Sequence, residues 1–211
     1  MTTNPLDAHT TTPAQPSTPS LANAIFLVGF MGCGKSTAGR LLGQRVAWKF
    51  VDLDALIEQE EAATIADIFA RHGEGAFRRR EYDVLRRLLE ESLRQASQPG
   101  AGRVIALGGG TFAQPANFEL MQRAGAVTVW VECPLEDLLM RCALMPNRPL
   151  FRDEASFRRL YEERLPYYQQ ATYSVRSGRA EPSDVVQQIL ALPFFQGNQW
   201  ISQEPSNLSR T

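Results

Sequence analysis

The 211-residue chain holds two lysines, Lys35 and Lys49, beside 20 arginines; it also has two histidines, His9 and His72, and three cysteines, Cys33, Cys133 and Cys142. Three cysteines with no C-x-x-C pair do not make a secreted disulfide framework, which is dense and even in number. Two histidines leave a structural zinc site short of its four spaced ligands. No apolar run approaches the roughly 18 residues of a membrane-spanning helix. Neither sign of charge is in excess: 22 basic and 23 acidic side chains leave a net charge of −1. A general nucleic-acid binder needs clustered positive charge for its phosphate contacts, so that class is excluded. Residues 1–23 contain no Lys or Arg, so neither a signal peptide nor an Arg-rich transit peptide fits. The expectation is a cytoplasmic protein with reduced thiols and no membrane partner.

What is present is globular, with 44% hydrophobic residues. Residues 1–23 are rich in Thr, Ser and Pro and read as a disordered leader. Residues 196–211 read as a polar tail, in which Trp200 and Ile201 are the apolar exceptions. Between them, residues 24–195 have the length of one domain, and a monomer is expected. Short apolar runs at Ala24–Val28, Lys49–Asp52, Arg103–Leu107, Ala126–Val131 and Tyr173–Arg176 read as strands. Helical patterns lie between them, at 36–46, 53–60, 65–72, 76–96, from about 115, and at 135–144, 155–165 and 183–192, with a break or kink at Pro166. Thr64 makes an N-cap, with Asp67 at the capping-box position. This alternation implies a three-layer α/β/α fold on a five-stranded parallel sheet.

The first strand runs into Gly29-Phe-Met-Gly-Cys-Gly-Lys35-Ser36, which matches G-x-x-x-x-G-K-[ST] between a strand and a helix. Gly29, Gly32 and Gly34 let successive N–H groups turn inward around phosphate oxygens, and the helix start adds its positive end. Lys35 supplies a compact charge to the phosphates, and the Ser36 hydroxyl suits Mg²⁺. Cys33 reads as a small residue in a loop where the backbone matters, in preference to a redox site. No guanine-reading N-K-x-D segment exists, so a small phosphotransferase fits better than a GTPase switch.

The acceptor side is more scattered. Asp52 and Asp54, at strand spacing, project to one side at the carboxyl end of a strand, where ligands bind in open parallel sheets. Arg78, Arg79 and Arg80 span about 200° of a helix, so they cannot all meet one ligand. Glu81, three residues from Arg78, can orient its guanidinium. Gly108–Gly110 follows another strand and offers bare backbone to a ligand. Arg148 lies in the two-proline loop at Met145–Arg152, the natural place for a mobile lid, and Arg164 closes a helix before Pro166.

Together GFMGCGKST, Asp52-x-Asp54, IADIF...GE..FRRRE, LGGG, NRPL and the RLPYY segment at 164–168 resemble the shikimate kinase family, from about Ile25 to about Ile189. The resemblance implies a nucleoside-monophosphate-kinase-like P-loop fold. It also implies transfer of the ATP γ-phosphoryl group to the 3-hydroxyl of shikimate, with Mg²⁺. By the same resemblance Gly32, Cys33, Gly34, Lys35, Ser36 and Thr37 hold the nucleotide, and Ser36 and Asp52 serve the metal. Arg78 and Arg164 hold the shikimate carboxylate, which suits the guanidinium fork. Asp54 binds ring hydroxyls and helps deprotonate or orient the attacking one, while the backbone of Gly109 and Gly110 lines the pocket. Arg148 swings in with the lid to stabilise phosphate charge; Arg141 aligns with an adenine-stacking arginine, and Arg179 with one near the nucleotide. The competing readings are another small-molecule kinase of this fold, such as a gluconate or nucleoside-monophosphate kinase, and a nucleotide-binding module without catalysis.

Overall fold

Ala24–Val28, the first strand (β1), is apolar throughout and fully buried, as a strand covered on both faces must be. The computed structural model describes residues 21, 23–96, 102–143 and 153–196. The leader up to residue 20, the 97–101 loop, the tail beyond residue 196 and the lid segment carrying Arg148 lie outside the described residues. After β1 come α1 (Lys35–Arg45), β2 (Lys49–Asp52), α2 (Leu53–Glu61), α3 (Ile65–Gln95), β3 (Arg103–Ala106) and α4 (Pro115–Arg123). The chain continues through β4 (Val127–Glu132), α5 (Leu135–Ala143), α6 (Glu154–Tyr168), β5 (Tyr173–Arg176), α7 (Pro182–Leu190) and the short α8 (Pro193–Gln196).

The five strands form one parallel sheet in the order β2-β3-β1-β4-β5, with Phe26 of β1 level with Ile105 of β3 and Thr128 of β4. Helices flank this sheet, in agreement with the three-layer α/β/α expectation. All five strands point the same way, so the turn after β1, Asp52 at the end of β2 and the glycines after β3 open on one edge. That edge is where the functional residues gather.

Two local features differ from a plain reading of periodicity. The two helices expected at 65–72 and 76–96 are one continuous assignment, α3, broken at Gly73 (φ 75, ψ 168). A side chain would be strained at that φ, and the break turns the Ile65–His72 segment away from the rest of the helix. Its start carries the expected capping box: Thr64 Oγ1 accepts from Asp67 N at 3.1 Å, and Thr64 N donates to Asp67 Oδ2 at 3.4 Å. Of the break or kink expected at Pro166, the break does not occur, because α6 continues to Tyr168. Pro166 lacks the N–H that would reach Glu162, and Glu162 is exposed, so water can take the freed carbonyl.

Candidate active site

The turn after β1 takes φ values of 139, 80 and 96 at Gly29, Gly32 and Gly34, a run closed to ordinary side chains. Gly34 caps α1 with no side-chain bond, so the first N–H groups of the helix point at a ligand rather than at a cap. Lys35 is folded over its own loop and 7% exposed; its Nζ donates to the carbonyls of Gly29 and Phe30, both at 2.9 Å. The same Nζ lies 3.7 Å from Cys33 Sγ, which is buried and free.

Ser36 Oγ donates to Asp52 Oδ2 at 2.5 Å, while Asp52 Oδ1 accepts from Ala55 N at 3.2 Å and so caps α2. One aspartate thus starts a helix and holds the phosphate-loop hydroxyl. A hydroxyl and a carboxylate side by side are the hard oxygen donors that Mg²⁺ takes. Among the described residues no cluster of three or more His, Cys, Asp or Glu could hold a metal ion by itself. The donor set therefore fits an ion that keeps several waters and shares phosphate oxygens.

Beside this loop lies a cleft of about 130 Å³, with Asp54, Arg78, Arg164 and the backbone of Gly108–Gly110 on its walls. Met31, Ile65, Phe69 and Phe77 supply the apolar wall. The glycines are required by close approach: a Cβ at Gly108 would stand 2.4 Å from Asp54 Oδ1, and one at Gly109 3.0 Å from Met31 N. A Cβ at Gly110 would stand 3.0 Å from Arg164 Nη2 and 3.3 Å from Arg78 Nη2. Two arginines from α3 and α6 therefore converge on one spot of bare backbone.

Each arginine is held before any ligand arrives. Arg78 Nη1 donates to both oxygens of Glu81, at 3.2 and 3.0 Å, and its Nε and Nη2 reach Glu74. Glu81 is 1% exposed and also accepts from Thr111 Oγ1 at 2.7 Å and Asn117 Nδ2 at 3.3 Å. Its oxygens are filled by protein donors, so its task is to hold Arg78 rather than to touch a ligand. Arg164 lies over the Phe30 ring at 5.5 Å, and its Nη1 donates to Gly109 O at 3.1 Å. Burial pulls the Arg164 guanidinium below its ordinary value, and the like charge of Arg78 adds to the effect.

Asp54 receives no hydrogen bond among the described residues. Burial pushes its carboxyl up to about 6; Glu81 and Asp52 add to the shift, while Lys35 and Arg78 oppose it. Such a carboxylate is mostly ionised at neutral pH yet is a better base than a solvated aspartate. It faces the cleft from one side and the two arginines face it from another.

The remaining expected residues divide. Arg141 Nη1 donates to Gly32 O at 3.2 Å and its Nη2 to Gly178 O, which ties α5 to the phosphate loop. Thr37 is exposed in the first turn of α1. Arg179 is 90% exposed, with Asp137 3.8 Å away, and makes no contact with the phosphate loop among the described residues. Sequence reasoning missed Thr111 and Asn117, which meet Glu81 from the far side, and the apolar wall, whose residues it did not single out.

The family model and the curated relatives give one family. The family model described as Shikimate kinase matches residues 31–192. A shikimate kinase of Persephonella marina is 37% identical over 167 residues, covering 79% of this chain and 96% of that one. A solved structure, the shikimate kinase from Acinetobacter baumannii in complex with shikimate, is 35% identical with a TM-score of 0.71, covering 80% of this chain and 90% of that one. The shikimate kinase from Aquifex aeolicus is 33% identical with a TM-score of 0.66, covering 79% and 93%.

Proposed function

This chain belongs to the shikimate kinase family, and from that premise we infer that it transfers the γ-phosphoryl group of ATP to the 3-hydroxyl of shikimate, serving aromatic amino-acid biosynthesis. The observation that carries the assignment of its residues is the meeting of Arg78 and Arg164 at Gly110, across the cleft from Asp54. A planar carboxylate seated there accepts from two guanidinium forks. The ring hydroxyls then lie toward Asp54, which orients the attacking one and takes its proton. Lys35, released from its loop carbonyls, and the N–H groups of Gly32, Cys33, Gly34, Ser36 and Thr37 hold the phosphates in line with that hydroxyl. Ser36 and Asp52 would hold Mg²⁺, which when bound neutralises charge on the phosphate oxygens. Arg141 and Arg179 border the nucleotide side, and the family resemblance gives Arg148, outside the described residues, to the phosphates.

Among the described residues no helix is long and apolar enough to cross a membrane, and Cys33 and Cys133 are free thiols; both accord with a cytoplasmic setting. The test is ADP release by the purified chain with ATP and Mg²⁺, over a panel of shikimate, gluconate and nucleoside monophosphates. Release driven by shikimate is expected. Release driven solely by another acceptor assigns a different kinase, and ATP binding without acceptor-dependent release assigns a nucleotide sensor.

A further inference from the structure

Arg164 and Tyr168 are four residues apart in α6, so they lie on one face of the helix, and both donate to the same atom, the carbonyl oxygen of Gly109. We propose that Tyr168 is a positioning residue of the acceptor site, acting on Arg164 side chain to side chain and through the Gly109 peptide that both hold; this rests on the reading of that cleft as the seat of shikimate. A carbonyl oxygen has two lone pairs, and here a guanidinium N–H and a phenol O–H fill both. The Gly108–Gly110 stretch has no side chains of its own to anchor it, so its orientation depends on such pins.

The pins act in sequence. Tyr168 is 1% exposed, and its ring stacks on Trp130 of β4, with centroids 6.3 Å apart and planes 22° apart. The hydroxyl is therefore delivered from a rigid element. It fixes the direction of the Gly109 carbonyl, and Met31 of the phosphate loop packs closely on the Gly109 Cα, where a Cβ would stand 3.0 Å from Met31 N. That carbonyl occupies Arg164 Nη1, which leaves Nη2 aimed at Gly110, where Arg78 also arrives. Burial pushes the Tyr168 phenol well above its ordinary range, so it remains a donor at every working pH. The fork of Arg164 is divided between its own protein and the ligand, and Tyr168 sets the division.

Tyr168→Phe removes one oxygen and keeps the ring and its stack. In the variant, the KM for shikimate is expected to rise roughly five- to tenfold, the scale of one buried hydrogen bond. The KM for ATP stays within about twofold, since the hydroxyl's hydrogen bond goes to Gly109, outside the phosphate loop. In an Arg164→Lys background the same change adds little, because the residue it positions is already lost. A shikimate KM for Tyr168→Phe within about twofold of the parent, a matching rise in both KM values, or independent effects in the double variant overturns the proposal. A parent chain inactive on shikimate removes the functional reading, and this proposal with it. An active parent with an unmoved variant removes the proposal alone.

Discussion

Arg78 of α3 and Arg164 of α6 share a single glycine: their Nη2 atoms lie 3.3 and 3.0 Å from the place where a Cβ on Gly110 would be. Two like charges meet there because each is backed separately, Arg78 by the buried Glu81 and Arg164 by the Gly109 carbonyl. A site that gathers positive charge at its own cost awaits an anion, and its geometry suits one with two coplanar oxygens.

Gly110→Ala fills that seat with one methyl group. Gly110 has φ −112 and ψ −10, which alanine adopts without strain, so the effect is confined to the site. Overpacking of this size costs about 1–3 kcal/mol. The expected outcome is a shikimate KM raised about tenfold or more with the ATP KM unmoved. Steady-state kinetics with each substrate varied in turn checks it, and an unchanged shikimate KM would place the carboxylate elsewhere.

Asp54 should govern both the acid limb of activity and part of the stability. Its carboxyl is raised from 3.8 to about 6, so the folded chain holds that proton more tightly than the unfolded one. Its cost to folding is therefore absent below pH 3.8, grows between 3.8 and about 6 and is complete above that. At pH 7 it amounts to about 3 kcal/mol. Asp54→Asn is expected to abolish transfer and raise the melting temperature at pH 7.5, with the gain vanishing near pH 4. In the parent, kcat/KM should fall tenfold per pH unit below about 6. A pH profile flat to pH 5, or an Asn variant with no added stability, contradicts this account.

The strands and the phosphate loop were legible because their signals are local. Apolar runs such as Ala24–Val28 and the spacing of Gly29, Gly34 and Lys35 need no knowledge of distant residues. The pairing of Arg78 with Glu81 was also legible, as an i, i+3 pair on one helix face. The partners of Glu81 from elsewhere, Thr111 and Asn117, were not, since they are 30 and 36 residues away and reach it across packed elements. Arg164 resembled an ordinary helix end until the family resemblance gave it a role. At Pro166 the sequence allows a break or a kink; α6 runs on to Tyr168 without breaking, the lost hydrogen bond falling at the carbonyl of exposed Glu162 near the helix end. Met31, Ile65, Phe69 and Phe77 could not be told from core, because hydrophobicity does not state which apolar face a cavity keeps open.

Glu81→Gln should disturb two properties together. Removing the charge from a buried ion pair leaves Arg78 without its main partner, at a cost of about 3 kcal/mol. Glu81 is also the largest charge contribution to the raised Asp54 carboxyl. The variant is expected to melt earlier, bind shikimate more weakly and show an acid limb shifted to lower pH. Denaturant melts and pH–rate profiles of parent and variant measure these effects separately. Weakened binding with an unmoved acid limb would mean that Glu81 acts through Arg78 alone.

Lys35→Met separates the chemistry from the fold. The ammonium is held by the carbonyls of Gly29 and Phe30, so in this state its charge is spent on the loop, and nucleotide must draw it away. Methionine keeps most of the stem and loses the charge, leaving the phosphates without their point cation. Transfer should fall by at least about a hundredfold. The two carbonyls that lose a donor lie in a turn set by the glycine φ values and by the strand before it, so the chain should still fold with a near-parental far-UV circular dichroism spectrum. Because Arg78 and Arg164, the carboxylate's partners, are untouched, shikimate binding without nucleotide, measured by calorimetry, should stay within about twofold of the parent. Retained transfer would remove Lys35 from the reaction. Lost shikimate binding would mean that the Phe30 carbonyl, held by Lys35, controls the ring beneath Arg164 and links the two halves of the site.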